Sequence, residues 1–156
     1  MVRPNSVLGG IMIYTPLTKK AINVMFEAHK NQMDKSGVPY VFHPFHLAEQ
    51  MADEATTICA LLHDVVEDTD CTFDDLANAG FPAPCIEALK LLTHEEGVPY
   101  MDYVKEIAKN PIARAVKLAD LRHNSDRTRI DGEPSERIQA KWKIYAQAMA
   151  YLEENP

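Results

Sequence analysis

The chain has 156 residues, 46% of them hydrophobic and 25% charged, enough for one domain with a sizeable core and incompatible with a fibrous or disordered protein. Acids outnumber bases, giving a formal net charge of −7, so the broad basic face that a nucleic-acid polymer requires is missing. A small anionic ligand is not excluded, because one metal ion and a few Lys or Arg reverse the potential locally.

Cys59, Cys71 and Cys85 make an odd set with no CxxC spacing, which points to a reducing, cytoplasmic setting. The longest apolar runs are too short to span a bilayer, so no membrane partner is expected. The apolar stretch from Val7 to Ile13 reads as a docked or frayed terminus, with a signal peptide as the alternative.

In chain order, Thr15-Pro16 predicts a capped helix start. Ile22, Met25, Phe26, His29 and Met33 follow at helical spacing and predict one apolar stripe, which Ser36-Gly37-Val38-Pro39 ends. His43-Pro44 predicts the next helix start, with Phe45, Leu47, Ala48, Met51 and Ala52 behind it. Proline at 44 disfavours the α region for residue 43, so the His43 side chain is expected to project from the helix end. The segment from Thr56 to Leu62 is apolar nearly all round and predicts a central helix that runs on through His63, Asp64, Glu67 and Asp68. Thr72-x-x-Asp75 predicts a capping box for a short helix ending at Gly80. Further helices are expected around 84–92 and 99–109, then from Asn110-Pro111 to about Arg127. After the turn Asp131-Gly132-Glu133-Pro134, a last helix over about 134–153 carries Ile138, Trp142, Tyr145, Met149 and Leu152. That stripe reads as core packing, with a homodimer seam as the alternative. No segment alternates as a strand would, so the fold class is all-α, in a single domain over 1–156.

The chemistry concentrates in two clusters. On a helix, His63, Asp64, Glu67 and Asp68 share one connected face opposite Ile58, Leu61, Leu62 and Val65. Three crowded carboxylates repel one another unless a cation sits among them, and imidazole and carboxylate oxygens are common ligands of divalent metals. Asp120, His123, Asn124 and Arg127 form a polar stripe at i, i+3, i+4 and i+7. A carboxylate there could complete a metal site, and Asn124 and Arg127 could meet phosphate oxygens. His43 is a further candidate ligand, with His46 as a competitor. His29 reads as a hydrogen-bonded core histidine and His94 as a surface one.

Ala28-His29-x-x-Gln32, Lys35-Ser36-Gly37-x-Pro39-Tyr40-x-x-His43-Pro44, Leu61-Leu62-His63-Asp64-Val65-Val66-Glu67-Asp68-Thr69 and Lys117-Leu118-Ala119-Asp120-x-x-His123-Asn124 occur in that order. Together they resemble the HD-type hydrolase domain of the RelA/SpoT alarmone enzymes, particularly its small stand-alone versions, from about residue 17 to 130. The resemblance implies an all-helical HD-type bundle holding one divalent metal ion, usually Mn²⁺, on His43, His63, Asp64 and Asp120. It implies that Glu67 and Asp68 handle the attacking water, and that Lys35 and Asn124 contact the nucleotide or its phosphates. The implied reaction removes pyrophosphate from the 3′ position of guanosine tetra- or pentaphosphate. Two positions depart from the family pattern. Asp34-Lys35 stands where an Arg-Lys pair is usual, and Asp34 is expected to repel phosphate. Arg122 is shifted by one place, so it should not inherit the family arginine's role. The alternatives are an HD phosphohydrolase for another nucleotide, such as a nucleoside monophosphate or NADPH, and a non-catalytic nucleotide-binding module.

Overall fold

A computed structural model describes residues 11–156, so the part of the Val7–Ile13 expectation that precedes residue 11 lies outside the described residues. Of the remainder, Met12 is buried.

The first helix, α1, runs Pro16–His29, with the Thr15 hydroxyl accepting from Thr18 N at 3.1 Å and Pro16 at its first position. Its buried face is Thr18, Ala21, Met25 and His29, with Ile22 half-buried against the core, so Met25, His29 and Ile22 of the expected stripe face inward and its other two members do not. Phe26 and Met33 are exposed. The helix ends at His29, and Met33 instead makes an isolated antiparallel bridge with Pro39. A tight loop follows, its sharpest point at Gly37 (φ 84°), a left-handed conformation that favours glycine.

The second helix, α2, spans Phe42–Glu49 and already includes His43. Pro44 therefore does not open the helix. It sits within the first turn, where an N–H has no intrahelical acceptor and its loss costs little. His43 thus projects from the side of α2, in its first turn, and not from a non-helical cap as the sequence suggested.

The third helix, α3, spans Glu54–Leu62, with Asp53 Oδ1 accepting from Thr56 N at 2.8 Å. All residues from Thr56 to Leu62 are buried, and α3 packs against α1 and α2. The expected continuous helix through Asp68 is interrupted. His63 and Asp64 form a turn, and a new short helix, α4, covers Val65–Asp68. The interruption is local: Asp64 adopts φ −108°, ψ 0° at the N-cap of α4, and His63 Nδ1 bonds back to the Ala60 carbonyl at 2.7 Å.

Beyond it lie α5 (Phe73–Asn78), with the expected Thr72/Asp75 capping box, α6 (Ala83–Leu92) and α7 (Tyr100–Ala108). The eighth helix, α8 (Pro111–Asn124), stops three residues short of the expected end, and Arg127–Arg129 form a 3-10 turn. Both α6 and α8 pack on α3, which makes α3 the centre of the core. The last helix, α9 (Glu136–Glu154), packs on α7 and α8. Ala148 and Leu152 are its buried residues, while Ile138, Trp142, Tyr145 and Met149 are only half-buried. Core packing therefore accounts for the C-terminal part of the stripe. Farther up, Trp142 Nε1 donates to the Asn124 carbonyl at 3.0 Å, tying α9 to the end of α8. Among the described residues there is no strand, and no helix is long and apolar enough to cross a membrane.

Candidate metal centre

Three side chains from three elements converge at the centre of the bundle. His43 comes from α2, His63 from the turn after α3, and Asp120 from α8, each with a ligand atom within 4.8 Å of the others. All three are buried. His43 Nε2 lies 3.1 Å from Asp120 Oδ1. His63 Nε2 lies 3.1 Å from Asp64 Oδ2 and 3.7 Å from Asp120 Oδ1, yet makes no hydrogen bond of acceptable geometry. A buried nitrogen without a hydrogen-bond partner, faced by two carboxylates, is costly as it stands and suited to a cation. The donor set fits a divalent metal by its chemistry: two imidazole nitrogens and a carboxylate, with the Asp64 carboxylate alongside.

The surrounding groups fix these donors. The Tyr40 hydroxyl donates to Asp64 Oδ2. Lys117 Nζ lies 2.9 Å from Asp120 Oδ2, and Asn124 Nδ2 donates to Asp120 Oδ1 at 2.8 Å. His43 Nδ1 and His123 Nδ1 are 2.6 Å apart with their rings stacked, so one donates and the other accepts. Such contacts orient an imidazole so that its other nitrogen faces a metal.

The electrostatics are tightly balanced. Burial alone would raise the Asp120 pKa, but the Lys117 ammonium and the two imidazoles hold it well below the usual carboxylate range. Burial would likewise raise that of Asp64, which His63 pulls down to about 2. His63 is held well above its ordinary value despite burial, because Asp64 and Asp120 face it. Burial, with Arg129 and two neighbouring histidines, pushes His123 down to about 4.

A cleft of about 320 Å³ opens beside this cluster, its wall including Lys35, Tyr40, His43, Asp64, Asn124, Arg129 and Tyr145. Lys35 and Asn124 thus face the cleft. Glu67 and Asp68 lie on α4, just past the His63-Asp64 turn, and are not part of that wall. Glu67 Oε1 accepts from His94 N at 2.6 Å, and burial is the main reason its pKa is raised. Asp68 Oδ2 accepts from Gln32 Nε2 at 3.2 Å, and Gln32 Oε1 lies 2.9 Å from Nδ1 of the buried His29.

Arg127 does not face the cleft. It is exposed and pairs with Glu133 at 3.4 Å. Arg129, two residues on in the 3-10 turn, takes the cleft side: Nη2 binds Asp34 Oδ2 at 2.9 Å and Nη1 donates to the His123 carbonyl at 2.9 Å. Asp34 is therefore not a free negative charge aimed at a ligand. Its Oδ1 accepts from Ser36 N, Ser36 Oγ and Val38 N at 2.7–3.0 Å, holding the loop that presents Lys35. Arg122 bonds Glu153 on the surface, and the His46 ring packs at a tilt of 38° against His123, outside the cluster. Tyr40, Lys117, His123 and Arg129 went unassigned in the sequence reading. The first three lie inside the quoted motifs; the i, i+3 spacing of Lys117 and Asp120 was their clearest signal.

No family model matches the chain. It is 32% identical over 146 residues to mouse guanosine-3′,5′-bis(diphosphate) 3′-pyrophosphohydrolase MESH1, covering 82% of this chain and 81% of that one. The zebrafish MESH1 is 29% identical over 154 residues, with 88% and 85% covered. The bifunctional (p)ppGpp synthase/hydrolase SpoT of Escherichia coli is 44% identical over 62 residues, which are 37% of this chain and 9% of that enzyme. The solved structure of a metazoan SpoT orthologue that hydrolyses ppGpp shares the fold, with a TM-score of 0.70 at 20% identity over 90% of this chain and 87% of that one.

Proposed function

The chain belongs to the MESH1 family of small guanosine-3′,5′-bis(diphosphate) 3′-pyrophosphohydrolases, and from that premise we propose that it is a metal-dependent enzyme releasing pyrophosphate from the 3′ position of that nucleotide. The observation that carries the reading is the buried meeting of His43, His63 and Asp120, with His63 Nε2 left without a hydrogen-bond partner. His43, His63, Asp64 and Asp120 would hold one divalent ion, which in this reading is Mn²⁺. When bound, such an ion lowers the pKa of water and polarises a phosphoryl oxygen.

The protein's own groups then have distinct tasks. Tyr40 and Lys117 hold Asp64 and Asp120 in place as carboxylates. Glu67, its pKa raised chiefly by burial, is shifted in the direction a general base requires and takes the proton of the attacking water. Asp68, braced by Gln32, assists in positioning that water. Lys35 and Asn124 neutralise and orient phosphate oxygens from the cleft wall. Water's oxygen ends on the released pyrophosphate, and a proton returns to the 3′ oxygen, leaving guanosine 5′-diphosphate. The pairing of Asp34 with Arg129 removes the main ground for preferring a different nucleotide. A cytoplasmic setting follows from the substrate and from the unpaired cysteines.

Incubating Mn²⁺-loaded protein with guanosine-3′,5′-bis(diphosphate) tests this. Equimolar pyrophosphate and guanosine 5′-diphosphate are expected; orthophosphate alone, or no product, contradicts it.

A further inference from the structure

Each carboxylate in the segment from Asp64 to Asp68 is held by a neutral donor from elsewhere in the chain. The Tyr40 hydroxyl donates to Asp64, Gln32 Nε2 to Asp68, and the backbone N–H of His94 to Glu67 Oε1 at 2.6 Å. That last bond ties α4 to the loop between α6 and α7, 27 residues on. Among the described residues it is the one hydrogen bond the Glu67 side chain makes. It occupies one carboxylate oxygen and leaves the other to accept a proton. Burial raises the Glu67 pKa and the His94 bond opposes the rise, so the group stays ionised without a neighbouring positive charge that would weaken it as a base.

A backbone donor is only as well aimed as its loop. Residues 93–99 belong to no helix, and 94–99 are exposed, so burial does not fix them. The His94 side chain does. Its Nε2 lies 2.7 Å from the Val98 carbonyl; a carbonyl only accepts, so Nε2 carries the hydrogen and closes the loop on itself. Gly97, at φ 82°, supplies the left-handed residue that this closure needs. The imidazole stacks on Tyr103, with ring centres 4.6 Å apart and 26° between planes, and meets Tyr100 edge-on at 5.9 Å. Tyr103 is itself buried and tied, its hydroxyl donating to the Leu92 carbonyl at 2.6 Å. One residue thus carries both the donor and the anchors that aim it. We infer that His94 is a positioning residue: its imidazole locks the 93–99 loop so that its own N–H holds Glu67 in the orientation from which it takes the proton of the attacking water. This rests on the role given to Glu67 under Proposed function.

The test is a double-mutant cycle on Mn²⁺-loaded protein with guanosine-3′,5′-bis(diphosphate), combining His94→Ala with Glu67→Gln. His94→Ala alone should lower kcat by about tenfold, part of the roughly 10²-fold that losing the base costs, with KM and metal stoichiometry unchanged. In the Glu67→Gln background the same change should have no further effect, because no base is left to aim. His94→Gln, whose side-chain amide can replace the donor to Val98, should keep most of the wild-type kcat. Equal losses in the two backgrounds, a loss confined to KM, or no loss at all would overturn the assignment. Hydrogen exchange at the residue-94 amide reads the contact without turnover: Glu67→Ala and His94→Ala should each speed it at least roughly tenfold. Unchanged exchange in either variant would also overturn it. Should the wild type show no turnover, the proposed reaction fails, while the exchange rates still decide whether the His94 loop holds Glu67.

Discussion

Arg129 Nη2 lies 2.9 Å from Asp34 Oδ2, joining the 3-10 turn after α8 to the loop after α1 across 95 residues of sequence. Both side chains are largely shielded, 21% and 11% exposed, and the same Asp34 carboxylate accepts three bonds from its own loop. Arg129→Ala therefore leaves Asp34 without its counter-charge on the cleft wall. The expected result is a stability loss of about 1–3 kcal/mol by urea unfolding, with a raised KM for the nucleotide. Adding Asp34→Asn should recover part of the KM effect, since it removes the stranded charge.

The same pair predicts a pH dependence. Although burial opposes it, the bonds from Val38, Ser36 and Arg129 hold the Asp34 pKa at about 2, below its ordinary 3.8. The unfolded chain binds the proton more readily, so the contribution of Asp34 to stability is complete above about pH 4 and disappears as pH falls towards about 2. Urea unfolding across pH 2–6 should show an acid limb that is shallower in Asp34→Asn than in the wild type.

Lys117 is the buried counter-charge of Asp120, with its ammonium 5.3 Å from the Tyr103 ring centre. Lys117→Met keeps the shape and removes the charge, leaving Asp120 with one positive neighbour fewer. A loss of about 3 kcal/mol is expected by chemical unfolding in chelator. Excess Mn²⁺ should recover part of it, because the ion binds only the folded site.

Glu67 touches none of the three clustered donors. Glu67→Gln should retain bound metal at the wild-type stoichiometry while kcat falls by about 10²-fold, the usual scale for removing a general base. Metal content by emission spectroscopy, measured on the same preparation as the rate, checks both halves.

Much of the fold could be read from punctuation. Thr15-Pro16, Thr72-x-x-Asp75 and Asn110-Pro111 each mark a helix start in the structure, because a capping oxygen or a missing N–H acts locally. The breaks were less legible. His63-Asp64 carries no Pro or Gly, so nothing in the string announces that the central helix is interrupted there; the cause is a bond from His63 to Ala60 and the conformation of Asp64. Pro44 announced a boundary that lies two residues earlier, since the first turn tolerates proline. Beside the cleft, His43, His63 and Asp120 meet as a buried triad of donors that periodicity on single helices could not bring together; the order of motifs suggested it. Arg127 and Arg129 were indistinguishable until the chain left α8 after Asn124 and turned, which exchanged the side of the molecule each one faces.

Manganese binding measured by calorimetry on chelator-stripped protein, wild type against His63→Ala, tests the central claim most directly. One ion per wild-type chain and none in the variant is the expected outcome. Equal binding by both proteins, or no binding by the wild type, would contradict a metal centre built on His43, His63, Asp64 and Asp120.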